Sequence, residues 1–270
     1  MDQTARVPES LAAEFMKDAG SGVPEVSNRE LACLVLKELD YESQLNAISD
    51  LLGRNNAADS GLTSAIGETD SFARSTGSEQ AVNEWVDLVH ASTYQSAAHS
   101  MAAVGMLVPL IESLFYQGFQ GIRTRYYEER TVPSGHARSD LPPEKFWDCH
   151  KVEKGRGGVV LGILGLAEAI GFAPHLPRDS QRLLTALYGY RNKMFHFGLE
   201  WPIEERRKFA KRISDEGWDD WFPRATTDHE PWIFFMTDSF ISDCLTLVHQ
   251  LLDGFGAYCR GKIPIASAGS

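Results

Sequence analysis

The sequence predicts an all-α protein, an antiparallel bundle of four to five long helices with an N-terminal helical extension. Three observations carry that reading. Apolar residues recur at three- and four-residue intervals through most of the 270 residues, alternating strand patterns are scarce, and no unit repeats. The chain is long enough to bury a sizeable core without disulfides. Its four cysteines, Cys33, Cys149, Cys244 and Cys259, show neither metal-knuckle nor redox-pair spacing and are expected to be reduced thiols.

Each element follows from local signals. Ser27 and Glu30 form a capping-box pattern ahead of Leu31, Leu34, Val35 and Leu39 in helical spacing, so one helix is expected over 27–52. The next stretch, GRNNAADSGLTSAIGETDSFARSTGSE, has few large apolar groups to offset the entropy of ordering it and reads as a linker or mobile loop. The expected organisation is an N-terminal helical segment plus flexible linker over 1–78, a helical bundle over 79–262 and a disordered tail over 263–270. A long helix starts near Gln80 and is expected to break or bend at Pro109, whose ring removes a backbone donor. Its second half, LVPLIESLFYQGF, is apolar except for Glu112 and Ser113, so that carboxylate must face a cavity, a partner or a cation.

TVPSGHARSDLPPEKFW reads as a connection, and GRGGVVLGILGLAEAIGF as a short apolar helix. Gly158 and Gly162, four apart in that helix, would let another helix approach. Its glycines match neither the phosphate-binding loop nor the dinucleotide pattern. PRDSQRLLTALYGYRNKMFHFG forms the next helix, started at Pro177 and ended by Gly198, with Pro202 as a stop. EERRKFAKR reads as a basic helix face. ISDEGWDDWFPRATTDHE reads as a turn-rich excursion whose Trp218 and Trp221 are candidates to stack on bases, with pinning of the connection to the bundle the favoured reading. A closing helix is expected from PWIFF to AYC, with Phe234, Phe235 and Phe240 in the core or a dimer interface.

The net charge of -11 argues against a protein that coats nucleic acid with a broad basic surface. Residues 178–212 reverse that sign: nine Lys/Arg stand against four Asp/Glu, which leaves -16 for the rest. An anionic ligand is the expected counterpart of that segment. The chain opens without a basic-then-apolar signal, and MAAVGMLVPLI and GVVLGILGLA are too short to span a bilayer, so a soluble, cytoplasmic protein is expected. His90 and His99, nine apart, lack metal-ligand spacing, and Cys149 and His150 point apart on a helix. No metal or cofactor is expected.

The chemistry concentrates in RNKMFH, from Arg191 to His196. Leu183, Leu187, Tyr190 and Met194 line up as a buried stripe, and Tyr188, Asn192 and His196 as a polar one. Arg191 precedes His196 by five residues, about 140° around the axis, so either the helix loosens at its end or a second copy completes the site. The guanidinium of Arg191 can grip two phosphate oxygens. Asn192 can bond a phosphate, a ribose hydroxyl or His196. His196 sits at the negative end of the helix dipole, a polarity that suits a proton donor. Together these groups supply charge stabilisation and general acid/base chemistry without a metal.

At these residues the chain resembles the HEPN superfamily, whose hallmark is Arg, often followed by Asn, then a short spacer and His near a helix end. LIESLF resembles the first core helix of such domains, in which an acidic residue points toward the Arg/His pair, here Glu112. The resemblance covers roughly Gln80 to Gly261. It implies a metal-independent endoribonuclease in which two motifs meet across a homodimer interface and the RNA 2′-hydroxyl attacks its own phosphate. Arg191, Asn192 and His196 are then catalytic, with Glu112, Tyr188 and Lys193 in support. Relatives act as toxins or phage-defence effectors, which implies RNA as substrate and an antitoxin or regulatory partner. The alternative is a noncatalytic dimerisation or partner-binding module, with Arg191 ion-paired to Glu112 and His196 capping the helix. A nuclease needs the two accessible; a structural pair would be buried and satisfied.

Overall fold

The structure is a computed structural model that describes residues 26–37, 39–127, 132–151 and 158–262, with the side chains of 56–60 left aside. Residues 1–25 and the tail 263–270, read above as disordered, lie outside the described residues. The fold is predominantly α-helical, as predicted. Its helices are α1 (Asn28–Ala32), α2 (Tyr41–Thr76), α3 (Glu79–Tyr126), α4 (Pro143–Phe146), α5 (Val159–Ala169), α6 (Ser180–Phe197), α7 (Ile203–Glu216) and α8 (Asp238–Lys262). Among the described residues one small sheet departs from this pattern: β1 (Arg224–Thr227) pairs antiparallel with β2 (Glu230–Phe234).

The capping box at Ser27 forms, with the Glu30 amide donating to Ser27 Oγ at 3.2 Å and the Ser27 amide to Glu30 Oε2 at 2.8 Å. The helix it starts is shorter than expected. It stops at Ala32, and α2 begins after Asp40, whose carboxylate accepts from the Ser43 amide at 3.0 Å. The break has a packing cause. A Cβ on Gly256 of α8 would meet the Asn28 carbonyl oxygen at 1.6 Å, and one on Gly121 of α3 would meet the Val35 oxygen at 1.9 Å. The N-terminal backbone is thus seated on two glycines of different helices, which one straight helix does not reach together.

The stretch read as a flexible linker is instead the second half of α2. Leu62, Ala65, Ile66, Thr69 and Ala73 form a sparse stripe of helical period that leans on the first half of α3. The glycine- and serine-rich composition concealed it. Gly77 ends α2 in the left-handed conformation, φ 61°, with its amide on the Ala73 carbonyl, and Ser78 caps α3 by accepting from the Ala81 amide.

Helix α3 runs through Pro109 without the expected break. Pro109 is exposed, so the carbonyl its ring deprives of a donor lies toward water. Beyond it, Phe115 and Phe119 meet Phe172 and Phe255, the last two stacked at 4.5 Å, and Gly118 leaves room for the Phe255 ring. By length and composition α3 alone among the described helices can cross a bilayer, longer than the sequence runs suggested, but half of its apolar window is buried inside the fold.

The connection after α3 is organised by Arg138, fully buried, which donates to the carbonyls of Phe146 and Lys151 at 2.7 Å, Asp148 at 2.5 Å and Lys145 at 3.4 Å. This clamp presses the Cys149 carbonyl against Gly162, where a Cβ would lie 2.1 Å away. Gly162 therefore admits a loop rather than the helix expected, and Gly158 faces open space. Burial pushes the Cys149 thiol up to about 12, and all four cysteines are free.

The closing helix begins at Asp238, not at Pro231. PWIFF forms β2, joined to β1 by Asp228 and His229, both with positive φ (49° and 65°). That is the geometry of a tight hairpin turn, here built without the glycine that usually signals it. Trp218 and Trp221 do pin this region, Trp218 buried and Trp221 stacked on Phe240 at 4.8 Å.

Gly256→Ala should lower the unfolding free energy by about 1–3 kcal/mol, because the atom in its way is backbone and cannot rotate aside. Urea unfolding measures this, with Gly53→Ala, which meets nothing within 4 Å, as the control expected to lose no stability.

Candidate functional site

The site is the C-terminal end of α6, and one face of that helix determines where the other points. Leu183, Leu187, Tyr190 and Met194 are buried, as the apolar stripe requires. Tyr190, wholly buried, packs within 6.1 Å of Trp201, Phe209 and Phe222, and its hydroxyl donates to the Phe234 carbonyl at 2.9 Å. Trp201 stacks on Phe234 at 5.2 Å and donates from Nε1 to the Gly198 carbonyl at 2.9 Å. Gly198, φ 73° and ψ -147°, turns the chain out of the helix while its amide still reaches Met194. Ser100 of α3 completes the support by accepting from the Met236 amide at 2.7 Å. Hairpin, Trp201 and α7 thus form an aromatic bed on which α6 cannot rotate.

The opposite side carries the motif. Asn192 and His196 are exposed and Arg191 is half-buried. Helix α6 stays regular through Phe197, so the helix does not loosen and Arg191 and His196 keep their offset of about 140°. The Arg191 guanidinium donates to Asn192 Oδ1 at 3.2 Å and lies 5.1 Å over the Phe195 ring. Among the described residues Arg191 has no carboxylate partner, and His196 makes no hydrogen bond. Phe195 and Phe197 are 52% and 39% exposed, so the polar cluster is flanked by apolar surface.

Glu112 sits half-buried on α3 beside the motif helix. Burial pushes the Tyr188 phenol up, the Glu112 carboxylate adds to that push, and Arg191 opposes it, which makes the three electrostatic neighbours. The Tyr188 hydroxyl is buried without a hydrogen-bond partner among the described residues. Glu112 is therefore near the motif through Tyr188, and the ion pair with Arg191 that the noncatalytic reading anticipates does not form. Lys193 is not brought to the cluster. It faces α7, paired with Glu205, which also holds Lys208 at 2.7 Å.

Sequence reasoning missed Trp201, Ser100 and Tyr190 as the residues that hold this site. Trp201 carried the readable signal, an indole three residues past the capping glycine. The tyrosine hydroxyl bond depended on a hairpin the sequence did not announce. Chemically the cluster offers a planar cation without a carboxylate partner among the described residues, an amide that orients it and an exposed imidazole. Among the described residues no group of three His, Cys, Asp or Glu can hold a metal ion.

Two outcomes test this construction. Tyr190→Phe removes the donor to a buried carbonyl and should cost about 1–3 kcal/mol in denaturant unfolding. Lys193, then Lys208, hold the Glu205 carboxyl at about 2, below its ordinary 4.5, so its contribution is present above about pH 4.5 and lost as pH falls toward 2. Glu205→Gln should flatten that part of the acid-unfolding curve relative to wild type.

The chain matches no family model, no curated protein and no solved structure.

Proposed function

We propose that this chain is a metal-independent endoribonuclease of HEPN type, acting in the cytoplasm as a toxin or phage-defence effector. The observation that carries the reading is the set of groups at the end of a rigid helix: an exposed His196, an exposed Asn192 and a half-buried Arg191 whose guanidinium bonds Asn192 and, among the described residues, has no carboxylate partner. A structural Arg/His pair is expected buried and satisfied, whereas His196 is exposed and Arg191 is only half-buried, with the exposed Asn192 as its hydrogen-bond partner.

In the proposed reaction the ribose 2′-oxygen forms a bond to the adjacent phosphorus, and the bond from phosphorus to the 5′-oxygen of the next nucleotide breaks. The 2′-hydroxyl proton goes to a general base and the leaving 5′-oxygen takes one from a general acid, leaving a 2′,3′-cyclic phosphate. Arg191 balances the charge on the pentacovalent phosphorus, and Asn192 holds its guanidinium in place. One imidazole cannot accept and donate in the same step, and Arg191 and His196 diverge on their helix. A homodimer answers both requirements, with a second α6 bringing its own Arg191 and His196. Phe195 and Phe197 supply the apolar surface such an interface buries. An antitoxin or regulatory partner would restrain the activity.

The same two phenylalanines favour the second reading, a noncatalytic dimerisation or partner-binding module, so the decisive observable is chemistry. Purified protein is incubated in EDTA with labelled RNA oligonucleotides, beside His196→Ala and Arg191→Ala. Cleavage leaving cyclic-phosphate ends should fall at least about 100-fold in each variant. Co-purified mixed dimers of the two variants should regain part of the activity if the site is composite. Absence of cleavage by wild type, or equal cleavage by all three proteins, discards the nuclease and leaves the interaction module.

A further inference from the structure

Besides Arg191, which bonds Asn192, and Arg206, which donates to the Pro231 carbonyl at 3.0 Å, the basic residues of the cationic segment fall into two groups. Lys193, Arg207, Lys208 and Lys211 each have a carboxylate: Lys193 and Lys208 share Glu205, Arg207 meets Glu230 at 2.7 Å, and Lys211 meets Asp215 at 2.6 Å. Arg178, Arg182 and Arg212 have none among the described residues, and these three line one groove of about 760 Å³ beside α6. The groove continues along α6 past Gly189 to Tyr188 and Asn192, so it ends at the motif.

Two of its three cations are held in place. Arg182 lies 4.1 Å over the Trp221 ring and donates to the Gly217 carbonyl, while Arg212 lies 4.8 Å over Trp218. Gly189 makes the seat for Arg212, since a Cβ there would stand 2.9 Å from Arg212 Nη1. Planar guanidinium groups fixed this way keep their remaining donors in a fork suited to phosphate oxygens.

We propose that this groove binds the backbone of a single-stranded RNA and delivers it to Asn192 and Arg191. The proposal rests on the ribonuclease reading for the chemistry at the groove's end. Two features select a strand over other anions. From Arg178 to Asn192 the helix axis advances roughly 20 Å, more than one phosphate or one nucleotide covers. Asp179 and Glu216 also line the groove. They repel a polyacidic peptide, whereas the amino groups of bases can donate to them.

The test uses the full chain and a fluorescent 2′-O-methyl oligoribonucleotide, which cannot be cleaved, so binding reads the groove apart from the chemistry. Affinity is measured by anisotropy across a salt series. The double variant Arg178→Gln/Arg212→Gln should bind about tenfold more weakly, with the log–log salt slope reduced by roughly 0.7 for each phosphate no longer neutralised. Gly189→Ala should weaken binding without changing charge, and its helix should be no less stable, because alanine favours helix over glycine. Lys211→Gln, already paired with Asp215, should bind as wild type. The proposal is overturned if wild type does not bind the oligonucleotide, or if the groove variants bind it unchanged. It is equally overturned if a nucleoside monophosphate or poly-glutamate competes as well as unlabelled RNA. Cleavage of unmodified RNA by wild type alongside such a result would leave the nuclease standing and remove the groove; groove-dependent binding without cleavage would do the reverse.

Discussion

The hydroxyl of Tyr190 donating to the carbonyl of Phe234, inside a cluster of packed rings, is the constraint on which the rest of this end of the molecule depends. Burying the Tyr190 hydroxyl without a partner would cost its desolvation, and the acceptor that offsets this is a strand carbonyl from 44 residues further along the chain. That bond fixes the rotation of α6 about its axis. Because residues on a helix hold set angles to one another, burying Tyr190 and Met194 turns Asn192 and His196 outward. Trp201, donating to the Gly198 carbonyl, then stops the helix one residue after Phe197. The polar cluster is exposed because the aromatic bed leaves it no other direction.

Charge is distributed under a similar restriction. Helix α7 presents its lysines and Arg207 to carboxylates on its own surface or on the hairpin, while Arg212 is turned onto Trp218 and toward α6. A net-negative chain therefore keeps, among the described residues, a lane of arginines without carboxylate partners beside its Arg/Asn/His cluster. Exposed pairs of this kind contribute little to stability. Their effect is to decide which cations remain available to a ligand.

Close backbone approach organises the other end. Gly121 and Gly256 admit the carbonyls of Val35 and Asn28, Gly118 admits the Phe255 ring, and Gly162 admits the loop that Arg138 clamps. These seats bind the N-terminal segment and the α3–α4 connection to the same core that carries α6. A segment with little apolar surface of its own, such as the second half of α2, becomes helical because α3 offers it a partner.

Much of this was legible in the chain. Helical period exposed the buried stripe of α6, the capping box at Ser27 marked α1, Gly198 marked the end of the motif helix, and the spacing from Arg191 to His196 picked out the candidate chemistry. Those features are local: caps, period and turn residues act over a few positions, and the sequence displays them directly. The tertiary structure alone decided that PWIFF is a strand, that Lys193 turns to Glu205, that Glu112 stands beside Tyr188 without pairing with Arg191, and that Arg178, Arg182 and Arg212 share a groove. Each of those outcomes joins groups far apart in the chain, where packing and the pairing of buried polar atoms overrule local preference.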